Sequence, residues 1–205
     1  MAVGAGEDLV DRARQYASEY GGLRFSVPGG VLEGQLWLAA RRPGVLVRAV
    51  TDGSFMFLAA DHSDAQCAFM ISASGAFGCS WSGEFGQLFD SVEHMLECIA
   101  LWHAFTGWTY VTVFSGTPGA VVATLGALEA DESAAGSTTG WWLGTDVVVV
   151  AEPYLTPTAS KTPQVTVLAR DAQVAALIRQ RLRGVPGVQN GFTAASLRST
   201  VGSPA

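Results

Sequence analysis

Apolar residues recur every three to four positions in three segments of the chain, and elsewhere they alternate with polar residues or form short runs. The first pattern is typical of helices that bury one face, so it predicts three helices. These helices cover residues 7–20, residues 91–106 and a segment that begins at Asp171. For the second helix we expect Asp90 as the N-cap, with Glu93 three residues later in a capping-box arrangement. Its predicted buried face holds Val92, Met95, Leu96, Ile99 and Trp102.

Strand-like segments fill most of the remaining sequence, and turn residues such as Pro43-Gly44 and Asp52-Gly53 separate them. The predicted strands are residues 23–27, 35–40, 45–50, 54–60, 67–72, 76–81, 109–114, 120–125, 146–152 and 164–169. A long meander of strands flanked by helices predicts an α+β fold with an antiparallel-rich sheet. The predicted organisation is a domain over residues 1–108, a C-terminal α/β extension over 109–192 and a flexible tail over 193–205, with a loop at 132–140.

The composition favours a folded protein with a substantial core. Hydrophobic residues make up 49% of the chain and charged residues only 15%, which is the reverse of a disordered composition. Early acidic residues such as Glu7 and Asp8 do not fit a signal peptide, and no segment approaches the roughly 18 consecutive apolar residues of a membrane-spanning helix. Three cysteines without CxxC spacing predict small buried thiols in a reducing compartment. We therefore expect a cytoplasmic protein that does not interact with membranes.

The net charge of −6 is distributed very unevenly. Between Arg48 and Lys161 there is no lysine or arginine, whereas the same segment contains twelve aspartates and glutamates. Carboxylates without partners stay in water, so this segment predicts a strongly negative surface. Such a surface repels nucleic acid and attracts basic partners. The alternative is an acidic surface that only keeps the protein soluble.

Candidate catalytic residues are few. The sequence Asp61-His62-Ser63-Asp64 combines acid, imidazole and hydroxyl groups. This combination suits either a general base or a turn in which Asp and Ser side chains hydrogen-bond to their own backbone. His94 and Cys98 have the i, i+4 spacing of two metal ligands, but His103 falls on the opposite side of the helix. No phosphate-binding loop or complete serine elbow is present. The sequence therefore predicts no cofactor and no metal.

Two further groups of residues bear on binding. The C-terminal arginines lack interleaved aromatic residues and suit the last turn of a helix, so they do not predict nucleic-acid binding. Trp141 and Trp142 follow the predicted loop, and neighbouring residues of a strand point to opposite faces. We therefore expect one of these two tryptophans to be an exposed anchor of the kind that dominates protein interfaces.

Several segments resemble the SUKH superfamily. Residues 16–25 resemble its helix, which ends in an aromatic–Gly–Gly turn and leads into an apolar strand. Residues 57–61 resemble its strand that ends in an acidic residue, residues 75–77 lie where a turn and strand follow, and residues 89–96 resemble its capped helix. The order and spacing agree over roughly residues 7–108. The segment from Thr109 onward has no counterpart in that family.

Bacterial SUKH proteins are mostly immunity proteins that bind and neutralise toxins, many of them nucleases. The resemblance therefore implies a non-enzymatic module that binds a protein, here a basic toxin domain. The acidic segment and the tryptophan pair supply the candidate binding residues: Asp61, Asp64, Glu84, Glu93, Glu97, Trp141 and Trp142. One alternative is a small hydrolase or transferase that uses the Asp61–Asp64 turn with a histidine. Another is a structural or regulatory subunit that covers its acidic surface in an assembly.

Overall fold

A computed structural model describes residues 7–38, 47–49, 55–65, 67–81, 84–155 and 162–188. Within these residues the helices are α1 (Glu7–Tyr20), α2 (Val92–Ala104), α3 (Gly119–Leu125) and α4 (Ala172–Arg181). The first seven strands are β1 (Arg24–Val27), β2 (Gly34–Leu38), β3 (Val47–Ala49), β4 (Phe55–His62), β5 (Ala68–Ser72), β6 (Phe77–Trp81) and β7 (Glu84–Phe89). The others are β8 (Thr109–Ser115), β9 (Glu129–Ala130), β10 (Gly140–Leu143), β11 (Val147–Glu152) and β12 (Gln164–Ala169).

The chain forms two compact units. The first contains Met1–Ala104 with Leu155–Ala159, and the second contains Phe105–Tyr154 with Ser160–Ala205. The change of unit after Ala104 lies close to the expected boundary at residue 108. The expected tail over 193–205 lies outside the described residues.

The sheet of the first unit is an antiparallel meander. Its strand order is β1-β2-β4-β5-β6-β7, and β3 pairs with the first half of β4. Every pairing is antiparallel. Short turns suffice to connect strands that are neighbours both in sequence and in the sheet. Together with the helices, this sheet confirms the expected α+β fold.

Helix α1 packs on the middle of this sheet through Tyr16. Its ring lies against Phe57 of β4, with 5.6 Å between ring centroids. Its hydroxyl donates a 2.8 Å hydrogen bond to the carbonyl of Ala59. The apolar body and the polar tip of a buried tyrosine are therefore both accommodated, as a buried phenol requires. The helix ends at Tyr20, as the sequence predicts, and Gly22 then adopts the left-handed conformation (φ 84°).

Helix α2 begins one residue later than its expected cap implies. The Ser91 hydroxyl accepts a 3.1 Å hydrogen bond from the backbone N–H of His94, so Ser91 is the N-cap. Asp90 instead accepts a hydrogen bond from the Gln87 side chain. The expected capping box from Asp90 to Glu93 is therefore wrong. The helix buries Val92, Met95, Cys98, Ile99 and Trp102. Leu96, which belongs to the expected buried face, is only partly buried.

The sheet of the second unit is also antiparallel throughout, in the order β8-β12-β11-β10-β9. Helices α3 and α4 contribute Val121, Leu125, Ala175 and Ile178 to a core with one face of this sheet. Asp171 caps α4 by accepting from the backbone N–H groups of Gln173 and Val174, as the sequence predicts. The C-terminal extension thus has helices beside an antiparallel sheet.

The expected strand at residues 120–125 is wrong, because these residues form α3. The β-branched residues Val121, Val122 and Thr124 suggest a strand, but only Val121 and Leu125 are buried within the helix. Their i, i+4 spacing is helical, and Pro118 and Gly126 mark the two ends. Tertiary packing against the sheet therefore outweighs the local strand preference.

Three of the described strands are not among those predicted from the sequence: β7, β9 and β10. Glycine at positions 86 and 140 weakens their strand pattern, and β9 has only two residues. Parts of the expected strands at 35–40 and 45–50 lie outside the described residues. None of the described helices is both long and apolar enough to cross a membrane.

Candidate functional site

Three candidate acidic residues lie at one end of the first sheet. Because β4 to β7 run antiparallel in order, the end of β4, the start of β5, the end of β6 and the start of β7 lie side by side. Asp61 and Asp64 belong to the end of β4 and the turn after it, and Glu84 begins β7. Strands are spaced by about 4.8 Å, so about 14 Å separates β4 from β7. We call Asp61, Asp64 and Glu84 the acidic end of the sheet, and all three are exposed.

His62 uses both ring nitrogens to hold the turn that follows β4. Its Nδ1 accepts hydrogen bonds of 3.1 Å from the backbone N–H groups of Asp64 and of Ala65. The hydrogen must therefore sit on Nε2, which lies 3.2 Å from the carbonyl oxygen of Leu32 and donates to it. In this arrangement neither nitrogen faces an incoming substrate. The hydrogen bonds favour the turn interpretation of Asp61–Asp64 over the general-base interpretation.

Gly34 allows this turn to lie directly on the start of β2. A Cβ atom placed on Gly34 would come within 2.8 Å of His62 Cε1 and 2.9 Å of Asp64 Oδ2. The residue also has φ 130°, which side chains rarely tolerate. The Ser63 hydroxyl accepts from the backbone N–H of Gln35 and the Ser63 N–H donates to the Gln35 carbonyl. These bonds fix the position of Asp64.

An aromatic row crosses the sheet between His62 and His94. Phe69, Phe77 and Phe89 lie on successive strands, and neighbouring ring centroids along the row are 5.7, 5.8, 6.3 and 5.8 Å apart. All three phenylalanines are almost fully buried. Such spacings are typical of favourable aromatic pairs. The two histidine rings therefore also serve as the ends of a packed core row.

The other histidines have separate surroundings. His94 Nδ1 accepts a 3.2 Å hydrogen bond from the backbone N–H of Asp90, whereas His103 is exposed near the end of α2. Within the described residues, no group of three or more His, Cys, Asp and Glu side chains is placed to share a metal ion.

The remaining acidic candidates of the first unit lie on α2. Glu93 and Glu97 are exposed and one turn apart on the same side of the helix. Tyr20 donates a 2.6 Å hydrogen bond to Glu93 Oε1. This bond is the main reason that the pKa of the Glu93 carboxyl is lowered and the pKa of Tyr20 is raised. One oxygen of the Glu93 carboxylate therefore takes part in a contact between α1 and α2.

A cross-strand row of Arg24, Trp37 and Asp61 adjoins the acidic end. The register places Trp37 of β2 directly between Arg24 of β1 and Asp61 of β4. The Arg24 guanidinium lies over the Trp37 ring, 4.9 Å from the ring centroid, which is a cation–π contact. Trp37 is half-buried while Arg24 and Asp61 are exposed. The sheet face beside the acidic end thus presents an aromatic ring.

Two cysteines that the predictions from sequence did not bring together are neighbours in the structure. Cys67 and Cys79 hydrogen-bond to each other. This hydrogen bond is the first cause both of the lowered pKa of Cys79 and of the raised pKa of Cys67, and burial adds to the latter. Their twelve-residue separation resembles no thiol motif. The one signal from which this neighbourhood could be found is the short separation of the predicted strands 67–72 and 76–81, because such consecutive strands commonly pair.

The tryptophan pair Trp141-Trp142 of the second unit does not supply an exposed anchor. Both lie in β10, opposite Val150 and Val149, and so point to opposite faces. Trp141 is only 1% exposed and stacks on Phe105, with 6.3 Å between ring centroids. Trp142 is half-buried against the core shared with α3 and α4. The expectation that one of the two is exposed is wrong, because Trp141 is buried on one face of the sheet and Trp142 packs against the core on the other.

The C-terminal arginines bind elements of their own unit. Arg179 donates to the carbonyls of Tyr110 and Val111 in β8. Arg181 donates to the carbonyls of Thr124 and Leu125 at the end of α3, where unpaired carbonyl groups attract a cation. These two arginines therefore stabilise the packing of α4.

Comparison of the chain with protein-family models, with curated proteins and with solved structures found no match. The resemblance to the SUKH superfamily accordingly stays a prediction from the residues that carry it.

Proposed function

We propose that this protein is a non-enzymatic binding module whose first unit recognises a basic protein domain, in the manner of a toxin-neutralising immunity protein in the cytoplasm. The observation that carries the proposal is the set of exposed acidic side chains in the described part of that unit. Asp61, Asp64, Glu84, Glu93 and Glu97 are exposed, and none is ion-paired with a basic side chain among the residues that the structure describes.

The arginines of the same unit whose side chains are described are engaged elsewhere. Arg12 donates to the carbonyl of Ala73, Arg14 pairs with Asp11 at 2.9 Å, and Arg24 lies over Trp37. These three described arginines therefore form no ion pair with the acidic end of the sheet. A basic partner supplies a counter-charge, and complementary potentials speed association and select the partner.

The acidic end offers such a partner both charge and a fixed geometry. The turn is held by His62 and Ser63, so Asp64 is positioned before a partner arrives. Trp37, beside Asp61, adds a ring of the type enriched in interface centres. Preorganised groups lose less conformational entropy on binding. This combination supports recognition of a folded basic surface.

The test is a titration with a defined partner. The candidate is the basic C-terminal domain of a secreted protein encoded beside this chain, made in catalytically inactive form. We expect Asp61→Lys with Asp64→Lys to weaken its binding about tenfold or more, and Glu97→Lys to test the α2 surface separately. Survival of cells that make the active domain measures protection alongside the affinity.

The matched control is Glu129→Lys with Glu132→Lys. It changes the net charge by the same amount, but these two exposed residues lie in the second unit. An equal loss of affinity in both double variants would show an effect of net charge alone. Full affinity in the Asp61/Asp64 and Glu97 variants would contradict an acidic binding surface on the first unit.

A further inference from the structure

Cys67 and Cys79 lie on the same face of neighbouring strands. Cys67 precedes β5 and is two residues before Phe69, whose direct partner across the sheet is Cys79 of β6. Residues two apart on a strand share a face, so the two thiols stand one diagonal step apart. The third cysteine, Cys98, is buried on α2.

The two thiols differ in environment and in ionisation. Cys79 is buried, whereas Cys67 is half-buried. The thiol–thiol hydrogen bond lowers the pKa of Cys79, and the same bond together with burial raises the pKa of Cys67. The thiol of Cys67 can therefore stabilise the thiolate of Cys79, and the thiolate is the nucleophilic form of a cysteine.

The thiol pair is open to solvent on the Cys67 side. Cys67 stands before the first paired residue of β5, where it is partly open to solvent. On the other side, Gly86 of β7 is the direct partner of Cys79. A Cβ atom on Gly86 would lie at an ordinary contact distance of 3.8 Å from Cys79 Sγ, and Cys79 is only 2% exposed, so a small molecule reaches the pair from the Cys67 side.

We propose that Cys67 and Cys79 form an oxidation site at which a peroxide converts the thiol pair into a cross-strand disulfide between β5 and β6. Cys79 Sγ attacks one oxygen of hydrogen peroxide, the O–O bond breaks, and a sulfenic acid and hydroxide result. Cys67 Sγ then attacks that sulfur, the S–O bond breaks, and the Cys67 proton leaves with the hydroxyl group as water. Overall, two thiols are oxidised to one disulfide and one peroxide is reduced to two waters.

The required movement is small. A disulfide needs Cα atoms within about 7 Å of each other, and diagonal neighbours in a sheet stand about 7–8 Å apart. Cys67 lies outside the paired part of β5, so it can move towards Cys79 without breaking a strand pairing. This proposal does not rest on the proposed partner binding, since none of the acidic side chains takes part in the oxidation, but Cys67 is only three residues from Asp64 in the sequence.

The test treats the reduced, full-length protein with hydrogen peroxide, alkylates the remaining thiols and maps peptides without reduction. Trypsin has no cleavage site between Arg48 and Lys161, so chymotrypsin, which cuts after Phe69 and Phe77, is used to separate the two cysteines. We expect a linked pair of peptides containing Cys67 and Cys79, with Cys98 alkylated, and an intact mass lower by two hydrogen atoms.

Two variants and a second probe keep the outcome decisive. Cys98→Ser should form the same link, while Cys67→Ser should abolish it and leave a sulfenic acid on Cys79 that dimedone traps. Phenylarsine oxide, which bridges two thiols in contact, should bind the wild type and not Cys67→Ser. Peroxide treatment that yields only singly oxidised cysteines, a link through Cys98 or dimers between chains would overturn the proposal. The proposal would also fail if the arsenical bound both proteins equally.

Discussion

The phenol of Tyr20, the last residue of α1, donates a 2.6 Å hydrogen bond to the carboxylate of Glu93 in the first turn of α2. The two residues are 73 positions apart in the chain. They also belong to the first and last of the segments that resemble the SUKH superfamily. The bond thus joins two helix ends that frame the sheet of the first unit.

Replacing Tyr20 with phenylalanine should destabilise the protein by about 1 kcal/mol, because a hydrogen bond to a charged acceptor is lost at a solvent-exposed site. The ring contact with Tyr16, 5.3 Å between centroids, is retained in this variant. Urea unfolding measures the loss, and Tyr154→Phe in the second unit is the matched control. A change below about 0.3 kcal/mol would mean that water replaces the bond without cost.

The same bond predicts a pH dependence. The folded protein lowers the pKa of Glu93 below its ordinary value of 4.5, so the stabilisation is present above that pH and is lost as the pH falls through the folded pKa. It raises the pKa of Tyr20 above 10.0, so the stabilisation is also lost as the pH rises beyond that value. The free-energy difference between wild type and Tyr20→Phe should therefore be largest between about pH 5 and 10 and shrink on both sides. An equal difference at pH 3 and pH 7 would refute this linkage.

Much of the fold follows from local patterns that the packing respects. Helix α1 and the meander from β4 to β6 have regular apolar spacing and clear turn residues, so their positions are predictable. The residues of α3 favour strands locally, and only their contacts with the sheet and α4 make them helical. Strand β7 is obscured by Gly86, and its pairing with β6 places it in the sheet. These exceptions depend on partners distant in sequence.

The candidate site was only partly predictable. Charge alone located the acidic residues, but grouping Asp61 and Asp64 with Glu84 requires the order of strands in the sheet. The role of His62 depends on Leu32, thirty positions earlier, and no local pattern reveals that hydrogen bond. The prediction of an exposed tryptophan at Trp141-Trp142 failed because strand alternation places the two side chains on opposite faces but does not make either face exposed. Both faces of this sheet are apolar.

Helix α2 should act as a structural element, so Ile99→Ala should cost about 2–5 kcal/mol. Ile99 is 4% exposed, and its truncation leaves a cavity in the core of the first unit. Ala100→Ser, on the exposed side of the same helix, controls for helix propensity. Chemical denaturation measures both variants. A loss below about 1 kcal/mol for Ile99→Ala would indicate that this side of α2 is accessible in solution.

His62 should matter for stability and not for chemistry. His62→Ala removes the acceptor of two backbone N–H groups and the donor to Leu32, so a loss of about 1–3 kcal/mol is expected. His103→Ala, an exposed change, should be neutral. Gly34→Ala should weaken the same turn through its positive φ and its contact with the His62 ring. Calorimetric melting at neutral pH compares the three variants.

The same histidines separate a binder from an enzyme. Triple replacement of His62, His94 and His103 by glutamine or asparagine, in any combination that folds, should leave partner affinity and cell protection unchanged. A folded variant that binds the partner normally but no longer protects would favour the alternative of a hydrolase or transferase that uses the Asp61–Asp64 turn.

Association with the basic partner should be electrostatically steered. The charge of the first unit acts over a Debye length of about 30 Å at 0.01 M salt, but over only about 8 Å at 0.15 M. The association rate should therefore fall several-fold or more across this range, while the dissociation rate changes little.

Asp61→Asn with Asp64→Asn should reduce both the association rate at low salt and its salt dependence, since this change removes charge from the acidic end without reversing it. Glu129→Gln with Glu132→Gln removes equal charge from the second unit and should have the smaller effect. Stopped-flow mixing measures these rates. If the two double variants and the wild type share one salt dependence, the field that attracts the partner does not come from the acidic end of the sheet, and the binding surface has to be sought elsewhere on the chain.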